Sequence, residues 1–152
     1  MIKLSTGLRN LMCGTSGFAG AMNGGVIQVR SGPQAVTADA AAVGQLLGIV
    51  TLHGGDWTAG DPTNGLVVDA PAGGGVAKPS GAIWQFKGLA EGTIGSWRYV
   101  GNAPDDGLAS QVLPRMDGAA AVGGGDAKFS SLSVKVGQII TLDVFSFFIP
   151  AQ

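Results

Sequence analysis

Short stretches in which apolar and polar residues alternate recur along the chain from Val26 onward, and clusters of turn-forming residues separate them. Alternation with a period of two is typical of a β-strand that buries one face. In the stretch from Val26 to Arg30 we expect Ile27 and Val29 to face inward. Seven or eight such strands predict an all-β fold, either a β-sandwich or a jelly-roll-like barrel, in a single domain over residues 1–152. Further strands are expected at 46–53, 66–70, 129–136 and 139–149.

The N-terminal segment, residues 1–24, has a helical periodicity instead. Its apolar residues recur at a spacing of three and four, which is typical of an amphipathic helix. Ser5 or Thr6 is suited to cap that helix, and Asn23-Gly24-Gly25 to end any helical structure. We therefore predict a short helix over residues 5–13 and a second turn near residues 18–22. The residues that define the apolar stripe are Leu4, Leu8, Leu11 and Met12.

Two aromatic-rich stretches in the middle of the chain predict a β-hairpin. Trp84 and Phe86 share one face of the first stretch, and Trp97 and Tyr99 share one face of the second. The segment 89–93 contains a glycine and is suited to a longer hairpin loop. We expect the aromatic side chains to face each other across this hairpin.

The C-terminal stretch changes its alternation phase. Ile140 and Leu142 share one phase, whereas Phe145 and Phe147 share the other. Such a change indicates a β-bulge, or a strand that leaves the core to contact another subunit. The second interpretation makes Phe145, Phe147 and Phe148 the predicted self-association residues, whereas the first places them in the subunit's own core.

The composition favours a subunit whose surface is covered by neighbours. Charged residues make up 12% of the chain and hydrophobic residues 45%, with a net charge of −1. An average soluble protein contains about 25% charged residues, and a surface with little charge tends to associate. The simpler alternative is a glycine-rich β domain with a neutral surface. The basic residues form no cluster, so we expect no direct nucleic-acid binding, and no apolar run is long enough to predict a membrane span.

The start of the chain lacks the charged and apolar regions of a secretory signal, so we expect synthesis and assembly in the cytoplasm. Cys13 is the only cysteine and lies near Leu8 and Met12 on the apolar stripe. We therefore predict that Cys13 is a buried, unreactive thiol.

No residue pattern predicts catalysis. His53 is the only histidine, and neither a triad nor a metal-ligand spacing surrounds it, so we expect no catalytic residue, no metal and no cofactor. The glycine clusters at 73–75 and 123–125 lack the residues of a phosphate-binding loop. Trp84 and Trp97 are expected to pack inside, whereas Trp57, in a loop of small polar residues, is the candidate for an exposed contact.

Nine short stretches spread over nearly the whole chain form a recognisable pattern. They are LSTGLRN at 4–10, NGGVI at 23–27, RSGPQ at 30–34, TADAA at 37–41, GQLL at 44–47, TNGL at 63–66, WQFKGLA at 84–90, GNA at 101–103 and LPRMDG at 113–118. The pattern resembles a family of small structural proteins from the virions of tailed bacteriophages. One departure is Arg30-Ser31-Gly32, where the family pattern has tyrosine in the first position. The resemblance implies a capsid cement or decoration subunit, which is commonly β-rich, often trimeric, and placed where capsomers meet.

The resulting expectation is a non-enzymatic virion protein that stabilises the phage head. Its expected partners are sister copies, in a homo-oligomer such as a trimer, and the major capsid protein or other virion proteins. Leu8, Leu11 and Met12 are the predicted docking residues, with the subunit's own core as the alternative place for them. Two other functions remain open. One is a tail, collar or neck subunit, and the other is a receptor- or glycan-binding module that exposes Trp57.

Overall fold

A computed structural model of the chain describes residues 1–121 and 127–149. Those residues form two short helices and ten strands. The helices are α1 (Thr6–Cys13) and α2 (Gly17–Met22). The strands are β1 (Lys3–Leu4), β2 (Val26–Ser31), β3 (Leu46–Leu52), β4 (Gly75–Ala77), β5 (Trp84–Lys87), β6 (Gly92–Val100), β7 (Arg115–Ala119), β8 (Ala127–Phe129), β9 (Ser133–Val134) and β10 (Ile139–Phe148).

The two helices lie where the apolar periodicity predicts them. Ser5 is the N-cap of α1, and its hydroxyl oxygen accepts a hydrogen bond from the backbone N–H of Leu8 at 3.1 Å. The same hydroxyl donates to the carbonyl oxygen of Leu113 and accepts from the N–H of Arg115, both at 2.9 Å. One buried serine therefore caps the helix and also anchors it to the start of β7.

The strands form one curled antiparallel sheet in the order β1-β7-β6-β2-β3-β5-β10-β4. Strand β8 pairs with β10, and a parallel bridge between Ala121 and Lys128 connects β8 with the residues that follow β7. Because β6 is also linked to β10 through β2, β3 and β5, this bridge closes the sheet into a barrel-like ring. The prediction of an all-β fold with a short N-terminal helix is confirmed.

The predicted central hairpin is wrong, although its faces are right. Strand β5 pairs with β3 and β10, whereas β6 pairs with β2 and β7. Trp84, Phe86, Trp97 and Tyr99 are all buried, as the alternation predicts. Alternation reports only which face of a strand is buried, so it cannot identify the neighbouring strand.

One predicted strand is absent, and one observed strand was not predicted. The 66–70 stretch forms an isolated bridge between Leu66 and Gly25 but no strand, and the N–H of Val68 donates to the side-chain oxygen of Asn23 instead of to a neighbouring strand. Strand β7 has no apolar alternation, since two of its buried residues, Arg115 and Asp117, are charged. Sequence patterns treat charged residues as exposed to solvent, so the sequence analysis did not identify β7 as a strand.

The core is organised around the ring of Phe145. Its centroid lies 5.7 Å from those of Trp84 and Tyr99 and 5.8 Å from that of Trp97. The contacts with Trp97 and Tyr99 are edge-to-face, a favoured arrangement for aromatic rings. Tyr99 is fully buried, and burial raises the pKa of its phenol, which therefore stays protonated.

Gly118 on β7 lets the ring of Trp97 lie directly on the backbone. A Cβ at this position would lie 2.2 Å from the Cζ2 atom of Trp97. The ring has little room to move, because its indole N–H donates to the carbonyl oxygen of Ala119 at 3.0 Å. We expect Gly118→Ala to lower the free energy of unfolding by about 1–3 kcal/mol, the usual cost of overpacking, in a urea titration.

Gly81 provides the matched control, because a Cβ there would meet no atom within 4 Å. Gly81→Ala should leave the free energy of unfolding within about 0.5 kcal/mol of the parent value. Equal stabilities for the two variants would show that Trp97 does not lie against Gly118.

Candidate interaction surface

An apolar groove lies where the helices meet the end of β10. It has a volume of about 290 Å³, and no charged side chain lines it. Strand β10 pairs with β4 here, with Phe147 opposite Val76 and Phe148 opposite Gly75. The lining residues are Met12, Gly17, Phe18, Pro71, Gly74, Gly75, Val76, Phe147 and Ile149.

The walls of the groove are fixed by packing. The rings of Phe18 on α2 and Phe147 on β10 are stacked, with centroids 5.1 Å apart and planes 24° from parallel. Gly75 faces the ring of Phe148, and a Cβ on Gly75 would lie 2.3 Å from that ring. Ile149, at the rim, is 60% exposed, and the neighbouring Phe148 is 55% exposed. The end of β10 therefore offers apolar surface on a rigid frame.

Of the three predicted self-association residues, only Phe148 is free to contact another subunit. Phe145 is 1% exposed and Phe147 is 8% exposed, so both belong to the subunit's own core. The pairing of β10 with β8 shifts register between Leu142 and Val144, which is the β-bulge that the phase change indicates. The bulge turns Phe145 inward, which removes this residue as an intermolecular contact.

The predicted docking residues divide in the same way. Leu8 lies on the inner face of α1, is fully buried and cannot touch a partner. Leu11 and Met12 are only partly buried, and Met12 lines the apolar groove. The prediction of a buried Cys13 is wrong, because this residue is exposed at the end of α1. Cys13 lies five residues after Leu8, about 140° further around the helix, and so on a different face.

Trp57 is half-buried and not a free surface side chain. Its indole N–H donates to the carbonyl oxygen of Gly24 at 2.7 Å, which fixes the ring. The ring lines a shallow depression of about 240 Å³ together with Asp56, Lys87 and Leu89. Only part of the indole is therefore available for the exposed contact that the sequence predicts.

A second apolar area lies at the opposite end of β10. Backbone hydrogen bonds of 2.8 Å from Gly88 to Gln138 and from Gly137 to Gly88 hold two turns together. Leu89, Val136 and Ile139 lie on these turns and are 57%, 66% and 63% exposed. Single exposed apolar residues are ordinary, whereas grouped ones often mark contact sites.

Two ion pairs are buried within the fold. Arg98 pairs with Asp117 at 2.7 Å, and the Arg115 Nε atom donates to Asp105 at 2.6 Å, both beneath the surface. His53 lies exposed in a turn with a φ of 56°. Across residues 1–121 and 127–149, no three His, Cys, Asp or Glu side chains are grouped to hold a metal ion. Neither α1 nor α2, the helices of these same residues, is suited to cross a membrane.

Sequence reasoning missed both the ion pairs and the shared groove. The ion pairs leave no local signal, since their partners come from different strands and loops. The groove joins a helix near the N-terminus to the last strand, and only the topology brings these elements together. Comparisons of the chain with family models, curated proteins and solved structures give no match.

Proposed function

We propose that this chain is a non-enzymatic structural subunit of a bacteriophage particle, a capsid cement or decoration protein that contacts sister copies and the major capsid protein. The observation that carries the proposal is the apolar surface at the end of β10, on a β-rich subunit with only 12% charged residues. The sequence resemblance supplies the phage setting.

A second copy of the chain is the occupant that best suits this surface. The groove has no charged lining with which to select an acidic or basic partner. The end of β10 carries the groove wall, Phe147 and Ile149, beside the protruding ring of Phe148. A symmetric contact places the same patch of both subunits together, so a patch with a groove and an adjacent projection can be self-complementary.

The copy number per virion tests the proposed place in the particle. Quantitative mass spectrometry of purified virions would compare this chain with the major capsid protein. A ratio near one, or a simple large fraction of it, is the expected result for a lattice-wide cement protein. A handful of copies per particle would contradict the proposal and indicate a tail, collar or neck subunit.

We expect Phe148→Asp to give a folded monomer. The side chain is 55% exposed, so the subunit tolerates the change, whereas a carboxylate within an apolar contact is costly to desolvate. Association should weaken about 100-fold or more, measured by sedimentation velocity over a concentration series. Phe147 is unsuited to this test, because a charge at a buried position would destabilise the subunit itself.

Val136→Asp is the matched control, because Val136 is 66% exposed and lies before the other end of β10. An extended strand of ten residues is about 30 Å long, so Val136 and Phe148 lie near opposite ends of β10. Val136→Asp should leave self-association intact. An unchanged oligomer for folded Phe148→Asp, or equal dissociation by both variants, would remove the end of β10 as the self-association surface.

A further inference from the structure

A small cavity lined by both polar and apolar residues lies between the sheet and the segment that follows β2. It has a volume of about 10 Å³. Strands β2, β6 and β7 contribute the charged residues Arg30, Arg98 and Asp117 to its wall. Residues 34–43, which form neither helix nor strand, contribute Gln34, Ala35, Ala42 and Val43.

Three buried polar atoms around this cavity form no hydrogen bond with another residue in the described ranges. They are the Nε atom of Arg30, the Nη1 atom of Arg98 and the Oε1 atom of Gln34. Two are donors and one is an acceptor. Leaving a buried polar group without a partner costs about 1–3 kcal/mol, so three around one cavity require an explanation.

We propose that this cavity is a binding site for one internal water molecule, which bridges Arg30, Arg98 and Gln34. The volume matches a single water. The water oxygen accepts from the two guanidinium N–H groups, and one water hydrogen is donated to the Gln34 side-chain oxygen. Three polar partners are the usual number for a buried water.

The other hydrogen bonds of the two arginines use different nitrogen atoms, so the Arg30 Nε and Arg98 Nη1 atoms stay available for the water. Arg98 donates to both carboxylate oxygens of Asp117, at 2.7 and 2.8 Å, and to the carbonyl oxygen of Ala40 at 3.0 Å. Arg30 donates to the side-chain oxygen of Gln28 at 3.0 Å and to the carbonyl oxygen of Gly44 at 3.2 Å.

Gln34 decides between a water and a small anion. Its Nε2 atom donates to the carbonyl oxygen of Met1 at 2.9 Å, which sets the orientation of the amide. The Oε1 atom is therefore an acceptor, and an anion beside it would be repelled. Asp117 also neutralises the nearer charge of Arg98. Burial, and then the charge of Arg98, lower the pKa of Arg30, which agrees with two closely placed guanidinium groups.

This water joins β2 and β6 to a segment without regular structure. The proposal is independent of the virion role, because it concerns how residues 34–43 are held on the sheet. Crystals of the full chain grown with bromide in place of chloride would test it directly. We expect a density peak within hydrogen-bond distance of all three atoms and no anomalous bromide signal. An anomalous peak would identify an anion site, and a cavity without density would overturn the proposal.

A solution measurement tests the part played by Gln34. Oxygen-17 magnetic relaxation dispersion counts the long-lived internal waters of a folded protein. We expect Gln34→Met to lose the contribution of one such water. Gln34→Glu also loses the donation to Met1 but retains an acceptor oxygen, so it should keep the contribution of that water. Retention in Gln34→Met, or loss in both variants, would contradict a water held by the Gln34 oxygen.

Discussion

Replacing Phe145 with alanine is expected to lower the free energy of unfolding by about 3–5 kcal/mol, the usual cost of truncating a buried phenylalanine. The ring is 1% exposed and is in aromatic contact with Trp84, Trp97 and Tyr99. Its removal leaves a cavity bordered by three large side chains, one on β5 and two on β6. Their backbones are held by the sheet, so the site cannot collapse around a methyl group. Urea denaturation followed by tryptophan fluorescence measures the loss.

Phe148→Ala is the matched control, because it removes the same ring from the same strand. Phe148 is 55% exposed and lies against Gly75, so its removal should cost the isolated subunit less than about 1 kcal/mol, measured at a protein concentration where the parent is monomeric. The two variants also separate the two interpretations of the C-terminal stretch. A Phe145→Ala protein that dissociates without losing stability would reinstate Phe145 as an intermolecular contact.

Local sequence patterns are sufficient to predict the elements whose apolar residues recur at a regular spacing on one face. The three- and four-residue spacing predicts α1, with Ser5 or Thr6 as its cap, and the alternation in β2 predicts that Ile27 and Val29 face inward. In the structure Ser5 is the N-cap and both apolar side chains are buried. The phase change in β10 also has a local cause, the bulge next to Leu142. In each case the periodicity depends only on neighbouring residues, so a single sequence contains the necessary information.

Strand pairing and the burial of charged residues could not be predicted, because both depend on residues distant in sequence. Nothing between Phe86 and Trp97 indicates that β5 will pair with β3 and β10 instead of β6, because the choice depends on strands distant in sequence. Strand β7 escaped prediction because Arg115 and Asp117 are buried as ion-paired charges. The burial of these two charges is explained only by the three-dimensional positions of their ion-pair partners, Asp105 and Arg98.

The apolar groove brings together residues that the sequence analysis assigned to two different contacts. Met12 was expected to dock to a partner subunit and Phe147 to self-associate, yet both line the same groove. The sequence could identify both as apolar residues near the chain ends. It could not show that α1, α2 and β10 meet, nor that Phe147 fills the core while Phe148 stays exposed.

The arginines of the two buried ion pairs hold two loops against the sheet. Arg115 pairs with Asp105 and donates to the carbonyl oxygen of Leu108 at 2.7 Å, which anchors the loop before β7. Arg98 pairs with Asp117 and donates to the carbonyl oxygen of Ala40. A charge inside the fold is tolerated only with such partners, so each pair makes the position of a loop a condition of stability.

Asp117→Ala is therefore expected to lower the free energy of unfolding by about 3–5 kcal/mol, because it leaves the buried guanidinium of Arg98 without its counter-charge. Arg98 is 3% exposed and Asp117 is 2% exposed, so bulk solvent does not surround the guanidinium group that loses its carboxylate partner. The measurement is urea denaturation at neutral pH, with the slope of the transition checked for two-state behaviour.

Two companions decide whether the loss comes from the unpaired charge. Asp69 is exposed, so Asp69→Ala, which removes the same group from the surface, should change stability by less than about 0.5 kcal/mol. The double variant Arg98→Met with Asp117→Leu removes both charges at once and should recover much of the loss, because a buried pair replaced by apolar residues is often neutral. A double variant less stable than Asp117→Ala would show that the hydrogen bond from Arg98 to the carbonyl oxygen of Ala40 contributes more to stability than the ion pair does. A cost for Asp117→Ala no greater than that for Asp69→Ala would show that the pair is not buried in the folded protein.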